Sequence, residues 1–269
     1  MQLLLGLFIG TLIGFLAWRL KALSLSGAIA ATISGGLIFG LGGLPWAILL
    51  MTFFISSSLL SRAFEKRKRK LSEKFSKGSQ RDWKQVLANG GLGTLIVIFY
   101  ALFPSHVWLW VAFAGAMAAV NADTWGTELG VLNPTPPFLI TTGKLVERGT
   151  SGGISLIGTL AVLGGAALIA FFSTLFSSID LKIPVLITFL AVTLGGFMGA
   201  FFDSLLGATI QAIYYCPVCE KETERFPFHT CGNKTYHKRG WLWLDNDYVN
   251  FSASIVGASI AAVIWIVLR

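Results

Sequence analysis

Runs of apolar residues long enough to cross a bilayer recur along this chain, and they leave it little choice of fold. Counting runs of 17 or more predominantly apolar residues predicts eight spans: Gln2–Trp18, Leu23–Leu41, Leu44–Ser61, Gln85–Phe103, His106–Ala122, Ser151–Ser178, Pro184–Leu206 and Tyr248–Leu268. Only 13% of the 269 residues are charged, about half the roughly 25% of a soluble domain. That excludes an ordinary globular enzyme, a disordered chain, collagen and a coiled coil. The expected fold class is all-α, a polytopic transmembrane helix bundle forming one integral membrane domain over residues 1–269. The first span lacks a charged leading region and a small-residue cleavage site, so it reads as a retained helix. Its Gly6, Gly10 and Gly14 form a stripe that lets a neighbouring helix come close.

A net charge of +8 would suggest nucleic acid in a soluble protein. Here the basic residues follow the topology instead. Eight alternating spans place 19 of the 21 Lys and Arg on one side, ten of them between Arg62 and Lys84; only Lys182 and Arg269 fall on the other. That side is expected to be cytoplasmic, with both termini opposite it and no nucleic-acid partner. The basic run Lys66–Lys70 suits anionic lipid headgroups. The outer connections Gly42–Gly43, Pro104–Ser105 and Ser177–Ile183 are short, so the working surface is expected inside.

The inner connections carry the chemistry. The first ends in Gln80 and Arg81; Asn89 follows just inside the fourth span, beside Gly90, Gly91 and Gly93. Either a ligand or a neighbouring helix can claim Asn89. Asp123 closes the fifth span, where a carboxylate is costly unless it is paired or binds a cation. Gly126 and Gly130 share its helical face and leave room for a bulky group, whereas Glu128, five residues on, points elsewhere in a regular helix. Pro134, Pro136 and Pro137 then break the helix. Lys144 and Arg148 precede Thr150, Ser151 and Gly152 at the mouth of the sixth span. Thr150 or Ser151 can cap that helix, its free amides forming an anion site with Lys144 as a point charge. In the seventh span Gly195, Gly199, Asp203 and Gly207 recur every four residues, with Asp203 level with Asp123. Two such carboxylates suit Mg²⁺ ions bridging phosphates. A proton or ion relay in a transporter is the rival explanation, although a relay has no use for Lys144 or the glycine-rich loop.

Residues 216–247 form a polar insertion, expected to be cytoplasmic, between spans seven and eight. Cys216 and Cys219 make a two-residue knuckle, and His229 and Cys231 complete four N/S ligands, with His237 as the alternative fourth. Tetrahedral structural Zn²⁺ is the natural occupant, and three reduced cysteines are an odd number for disulfides. Asp245, Asn246, Asp247 and Asn250 then re-enter the membrane. They either complete the acidic site or cap the last helix.

At these residues the chain resembles a known family. The runs GSQRDWKQVLANGG, NADTWGTELG, TTGKLVERGTSGGIS, GAFFDSLLGATIQ, CPVC with HTCG, and LDNDYVN resemble the transmembrane protein 19 family, which includes the phytyl-phosphate kinase of vitamin E (tocopherol) synthesis. The resemblance covers nearly the whole chain. More loosely, the Asp123–Gly130 and Lys144–Gly153 segments are similar to the CTP-binding signatures of polyprenol kinases and phosphatidate cytidylyltransferases. Here Gly126 stands where those enzymes usually carry Ala, and a single Lys144 replaces a Lys pair.

The resemblance implies a Mg²⁺-dependent kinase with CTP as phosphate donor, converting an isoprenyl monophosphate of the phytyl or geranylgeranyl type to the diphosphate. Asp123 and Asp203 would hold Mg²⁺. Lys144, Arg148 and the Thr150–Gly153 amides would face the transferred phosphate, and Arg81 the acceptor. Gln80, Asn89, Gly126, Glu128, Gly130, Ser151, Gly152 and Asp247 complete the candidate contacts. The expected partners are the lipid monophosphate, a nucleoside triphosphate and membrane lipids, with a homodimer as the candidate assembly. A CTP:lipid-phosphate cytidylyltransferase and a transporter of a phosphorylated metabolite are the alternatives.

Overall fold

The computed structural model describes residues 1–64, 73–75, 80–176 and 184–269. The basic run Lys66–Lys70, Lys77 and the outer connection Ser177–Ile183 with Lys182 lie outside the described residues. Within them the chain forms eight long helices: α1 (Gln2–Arg19), α2 (Leu25–Leu37, prolonged by a π-helical turn at Ile38–Gly42), α3 (Leu44–Ala63), α4 (Trp83–Leu102), α5 (Trp108–Gly130), α6 (Leu156–Phe176), α7 (Val185–Thr209) and α8 (Asn246–Leu268). Seven are long and apolar enough to cross a membrane.

The remaining one, α5, is the centre of the bundle. It packs against α3, α4, α6, α7 and α8, and every residue from Leu109 to Ala122 is buried. Small residues make this possible. A Cβ on Gly115 would come within 2.6 Å of Gly257 O and 2.5 Å of Ala261 Cβ, so α8 crosses α5 at backbone contact. Fully buried Asn121 ties three helices together: Ser56 Oγ donates to its Oδ1 at 2.9 Å, and its Nδ2 donates to Gly165 O at 2.8 Å. At the periphery, the α1 glycine stripe does what its spacing predicts. A Cβ on Gly6 would lie 2.5 Å from Gly36 O, and one on Gly10 2.9 Å from Thr32 O, so α1 and α2 meet backbone to backbone.

Two span boundaries differ from the sequence reading. Helix α5 runs two turns past Ala122, to Gly130, so the helical face assumed for Asp123 and Gly126 is continuous with the span. Helix α6 begins at Leu156, not Ser151. Gly152 adopts φ +81, and Gly153–Ile154 (β2) then pair antiparallel with Phe138–Leu139 (β1). The cap of α6 is accordingly Ser155, whose Oγ accepts the Gly158 amide at 3.2 Å, rather than Thr150 or Ser151. Asp82 caps α4 in a reciprocal box with Gln85, and Asp245 caps α8.

The chain after α7 forms an antiparallel sheet in the order β4-β3-β5, from β3 (Ile213–Cys216), β4 (Lys221–Thr223) and β5 (Tyr236–Arg239). Arg239 anchors it by donating to Gly207 O at 3.0 Å, where the last carbonyls of α7 lack helical partners.

Candidate active site

The α3, α5 and α7 C-termini and the α4, α6 and α8 N-termini converge at one end of the bundle. They enclose a cavity of about 550 Å³, within the roughly 300–1,000 Å³ range of small-molecule sites. Asp123 and Glu128 enter it from α5, Asp203 from α7, Asn89 from α4, Ser61 from α3, and Asn246 and Asn250 from α8. The turn 148–153, with Arg148, Thr150, Ser151 and Gly152, closes one side. Asp123 and Asp203, 80 residues apart in sequence, thus share one cavity, as do Arg81, Asn89, Gly126, Glu128 and Gly130.

Among the described residues its charge balance is acidic. Four carboxylates (Asp123, Glu128, Asp203, Glu224) face two guanidinium groups, Arg81 and Arg148. Asp203 Oδ2 is buried and has no hydrogen-bond partner among the described residues, an arrangement that is costly unless a cation completes it. Glu128 accepts a hydrogen bond from Ser61 Oγ at 2.7 Å. Arg81 lies near it; loss of hydration pulls the Arg81 pKa down to about 10, with Glu128 pulling the other way, so the group is charged at neutral pH. Arg148 spends part of its guanidinium on the carbonyls of Asn133 and Pro134, at 2.8 and 2.7 Å.

Several expected contacts are placed differently. Lys144 is exposed and does not line the cavity; the reversal at Gly143 (φ +66) folds it back beside Leu139, whose amide donates to Lys144 O at 2.8 Å. Gln80 donates to Leu23 O at 2.9 Å and tethers the strand-like pairing of Leu23 with Arg81; it too stays outside. Asp247 is buried but not on the cavity wall, where Asn246 and Asn250 stand instead. The Gly126 face is also filled from outside: a Cβ there would meet Val162 Cγ2 at 2.6 Å, so the missing side chain admits α6 as well as bordering the cavity. Gly152 packs on Ala208 in the same way, at 2.5 Å from its amide nitrogen. The Thr150 and Gly153 amides close turns on Glu147 O and Thr150 O, which removes two of the four donors expected for an anion. Glu224 went unpredicted. It reaches the cavity from just beyond β4, held by Gln211 Nε2 at 2.9 Å, and no periodicity around it signals this. Phe75 also lines the cavity, on a segment strapped down by Lys74–Glu147 and Lys221–Glu73 ion pairs at 2.7 and 2.6 Å.

The insertion carries a second cluster. The ligand atoms of Cys216, Cys219, His229 and Cys231 all lie within 4.8 Å of one another. Cys216 Sγ is 3.6 Å from Cys231 Sγ, and His229 Nδ1 is 3.3 Å from it. Hydrogen bonds from Asn233, and then His229, pull the Cys231 thiol down to about 6, whereas its neighbours hold Cys219 up at about 11. The group therefore presents a thiolate at neutral pH and could hold a metal ion. His237 is turned away, with Nε2 at 2.9 Å from Gly240 O, which leaves His229 as the fourth ligand.

Known sequences show kinship along the whole chain. Protein PGR of Arabidopsis thaliana is 31% identical over 281 residues, covering 97% of this chain and 96% of that protein. An uncharacterized membrane protein of Methanocaldococcus jannaschii is 33% identical over 273 residues, covering 100% and 98%. Protein VTE6, chloroplastic, of Arabidopsis thaliana is 23% identical over 253 residues, covering 92% of this chain and 65% of that protein. No solved structure matches. Residues 8–258 match the description of one family throughout, and the chain is a member of the DUF92 family of integral membrane proteins.

Proposed function

We propose that this protein is a membrane phosphotransferase that uses CTP and Mg²⁺ to convert an isoprenyl monophosphate to its diphosphate. The observation that carries this reading is the convergence of four carboxylates and two arginines in one cavity at the polar end of a membrane bundle. The similarity to Protein VTE6 supports an isoprenoid role, and CTP is suggested by the looser resemblance of Asp123–Gly130 and Lys144–Gly153 to CTP-binding signatures.

An excess of carboxylates repels phosphates, so the cavity suits them only with divalent cations present. Hard oxygen donors, including the unpartnered Asp203 Oδ2, fit Mg²⁺. Asp123 and Asp203 would hold it, with Glu224 beside them, and the ion would supply charge neutralisation for the bound phosphates. Arg148 and Arg81 stabilise the anionic groups brought together. The acceptor phosphate is already ionised at pH 7, so its oxygen attacks the γ phosphorus directly and CDP leaves; no side chain has to remove a proton. We assign the Cys216–Cys219–His229–Cys231 cluster to a structural Zn²⁺ that keeps Glu224 and Gln211 in place. It offers four ligands and therefore no open position for chemistry.

Purified protein incubated with Mg²⁺, geranylgeranyl monophosphate and CTP labelled at the γ phosphorus should place label in the lipid diphosphate. Labelled pyrophosphate with CMP on the lipid would instead identify a cytidylyltransferase. Absence of turnover with any nucleotide would move the reading to a transporter.

A further inference from the structure

A second cavity, about 110 Å³, lies between α1, α2, α3 and α4. Its walls are almost wholly apolar, with Ile9 and Ile13 of α1 facing Met51 and Phe54 of α3. Besides Ser34, three polar residues break the pattern. Arg81, Gln85 and Asn89 line both this cleft and the acidic cavity, so the two spaces share a wall. Arg81 stands on the seam. Its guanidinium lies 5.2 Å from the Phe53 ring centroid and 5.9 Å from that of Phe54, both of them cleft residues. A fixed positive charge is thereby held where hydrocarbon meets polar space.

Gly90 gives an independent indication. Most helix glycines of this protein are explained by a backbone crossing, but a Cβ on Gly90 would find nothing within 4 Å. No neighbouring helix requires the missing side chain, and glycine is the least favourable non-proline residue in a helix interior. The space beside it belongs to the cleft. Along α1 the cleft runs from Gly6 to Gly14, about 12 Å at 1.5 Å per residue. That length takes the head-proximal part of a twenty-carbon chain and leaves the rest to the bilayer.

We propose that this cleft is the tail site of the lipid phosphate: the isoprenyl chain lies between α1 and α4, and its phosphate passes Arg81 into the acidic cavity. The assignment rests on reading that cavity as the phosphate site. It predicts that the protein reads the first isoprene units and is indifferent to those beyond them.

The test is photolabelling of the purified protein with a geranyl monophosphate that carries a diazirine on its chain, with the adducts mapped by mass spectrometry. Label should fall on the cleft faces of α1 and α3, around Ile9, Ile13 and Phe54. Geranylgeranyl monophosphate should compete it away and phosphatidylcholine should not. Gly90→Leu, which fills the cleft, should cut the specific label at least 10-fold, whereas Gly164→Leu, on an exposed stretch of α6, should leave it unchanged. Label spread over outer helix faces, or label removed equally by phosphatidylcholine, would overturn the proposal and make the cleft a bulk-lipid crevice. CTP turnover is measured separately. Specific cleft label without turnover keeps the tail site and discards the kinase; turnover with Gly90→Leu labelled and active like wild type does the reverse.

Discussion

At the level of single residues, Asp123 and Asp203 share one cavity. Each reaches the acidic cavity from a central helix, and a neutral amide in place of either would weaken the cation binding proposed for them. Asp123→Asn and Asp203→Asn should each lower CTP-dependent turnover at least about 100-fold, which is about 2.7 kcal/mol of transition-state stabilisation, with unchanged elution from a sizing column. Arg148→Ala should cost more turnover than Lys144→Ala, because only Arg148 lines the cavity. The two acids were legible because glycines recur on their helical faces and a lone carboxylate in an apolar span demands a reason. Glu128, expected among the contacts although its helix angle points away from Asp123, also lines the cavity. It lies about 140° around the helix from Asp123 at 100° per residue, but α5 is enclosed by five other helices, so more than one of its faces meets the site. Lys144 was misplaced because the direction of a hairpin reversal at Gly143 cannot be read from local sequence. Gly152 supplies the stability counterpart. With φ +81 and Ala208 N at 2.5 Å from an added Cβ, Gly152→Ala has neither an allowed backbone nor space. It should destabilise by about 2 kcal/mol or more, seen as a lower thermal midpoint in detergent.

Among the elements, the Cys/His insertion and the bundle depend on each other. The sheet β3–β5 hands Glu224 to the cavity, and Gln211 holds it there while also accepting from Ser151 Oγ at 2.8 Å. The ligand spacing of the cluster was visible in the sequence; its bearing on the membrane site was not, because that coupling passes through Gln211 and Arg239 contacts between distant segments. Cys231→Ser should therefore lose bound metal in elemental analysis and also reduce turnover, by about 10-fold if Glu224 swings away, about 1.4 kcal/mol. A ligand thiol must shed its proton to bind. Metal retention should fall on acidification, when protons compete for the ligand sulfurs. Metal content in Cys231→Ser equal to that of the wild type would mean that Cys231 is not a ligand.

For the whole molecule, the arrangement of ends constrains the topology. Every segment that builds the acidic cavity joins a helix C-terminus to the next N-terminus at one end: α3 to α4, α5 to α6 and α7 to α8. The α1–α2 turn belongs to the same end, since Leu23 pairs with Arg81 and Arg62 donates to Leu20 O. The eight helices thus alternate in direction as expected, although seven of them, without α5, are long and apolar enough to cross a membrane. Which side of the membrane this end faces follows from the lysine and arginine distribution, and that is a prediction about cells. The three native cysteines sit at the polar end, and Ser105 sits in the short connection between α4 and α5 at the opposite end. In intact bacteria expressing the protein, a membrane-impermeant maleimide should label Ser105→Cys. Wild-type protein should stay unlabelled until the cells are permeabilised and the bound metal is removed with a chelator. Labelling of the native cysteines from outside, with Ser105→Cys silent, would invert the topology. The acidic cavity would then open away from the cytoplasmic pool of nucleoside triphosphates, and the phosphotransferase reading would fall with the orientation.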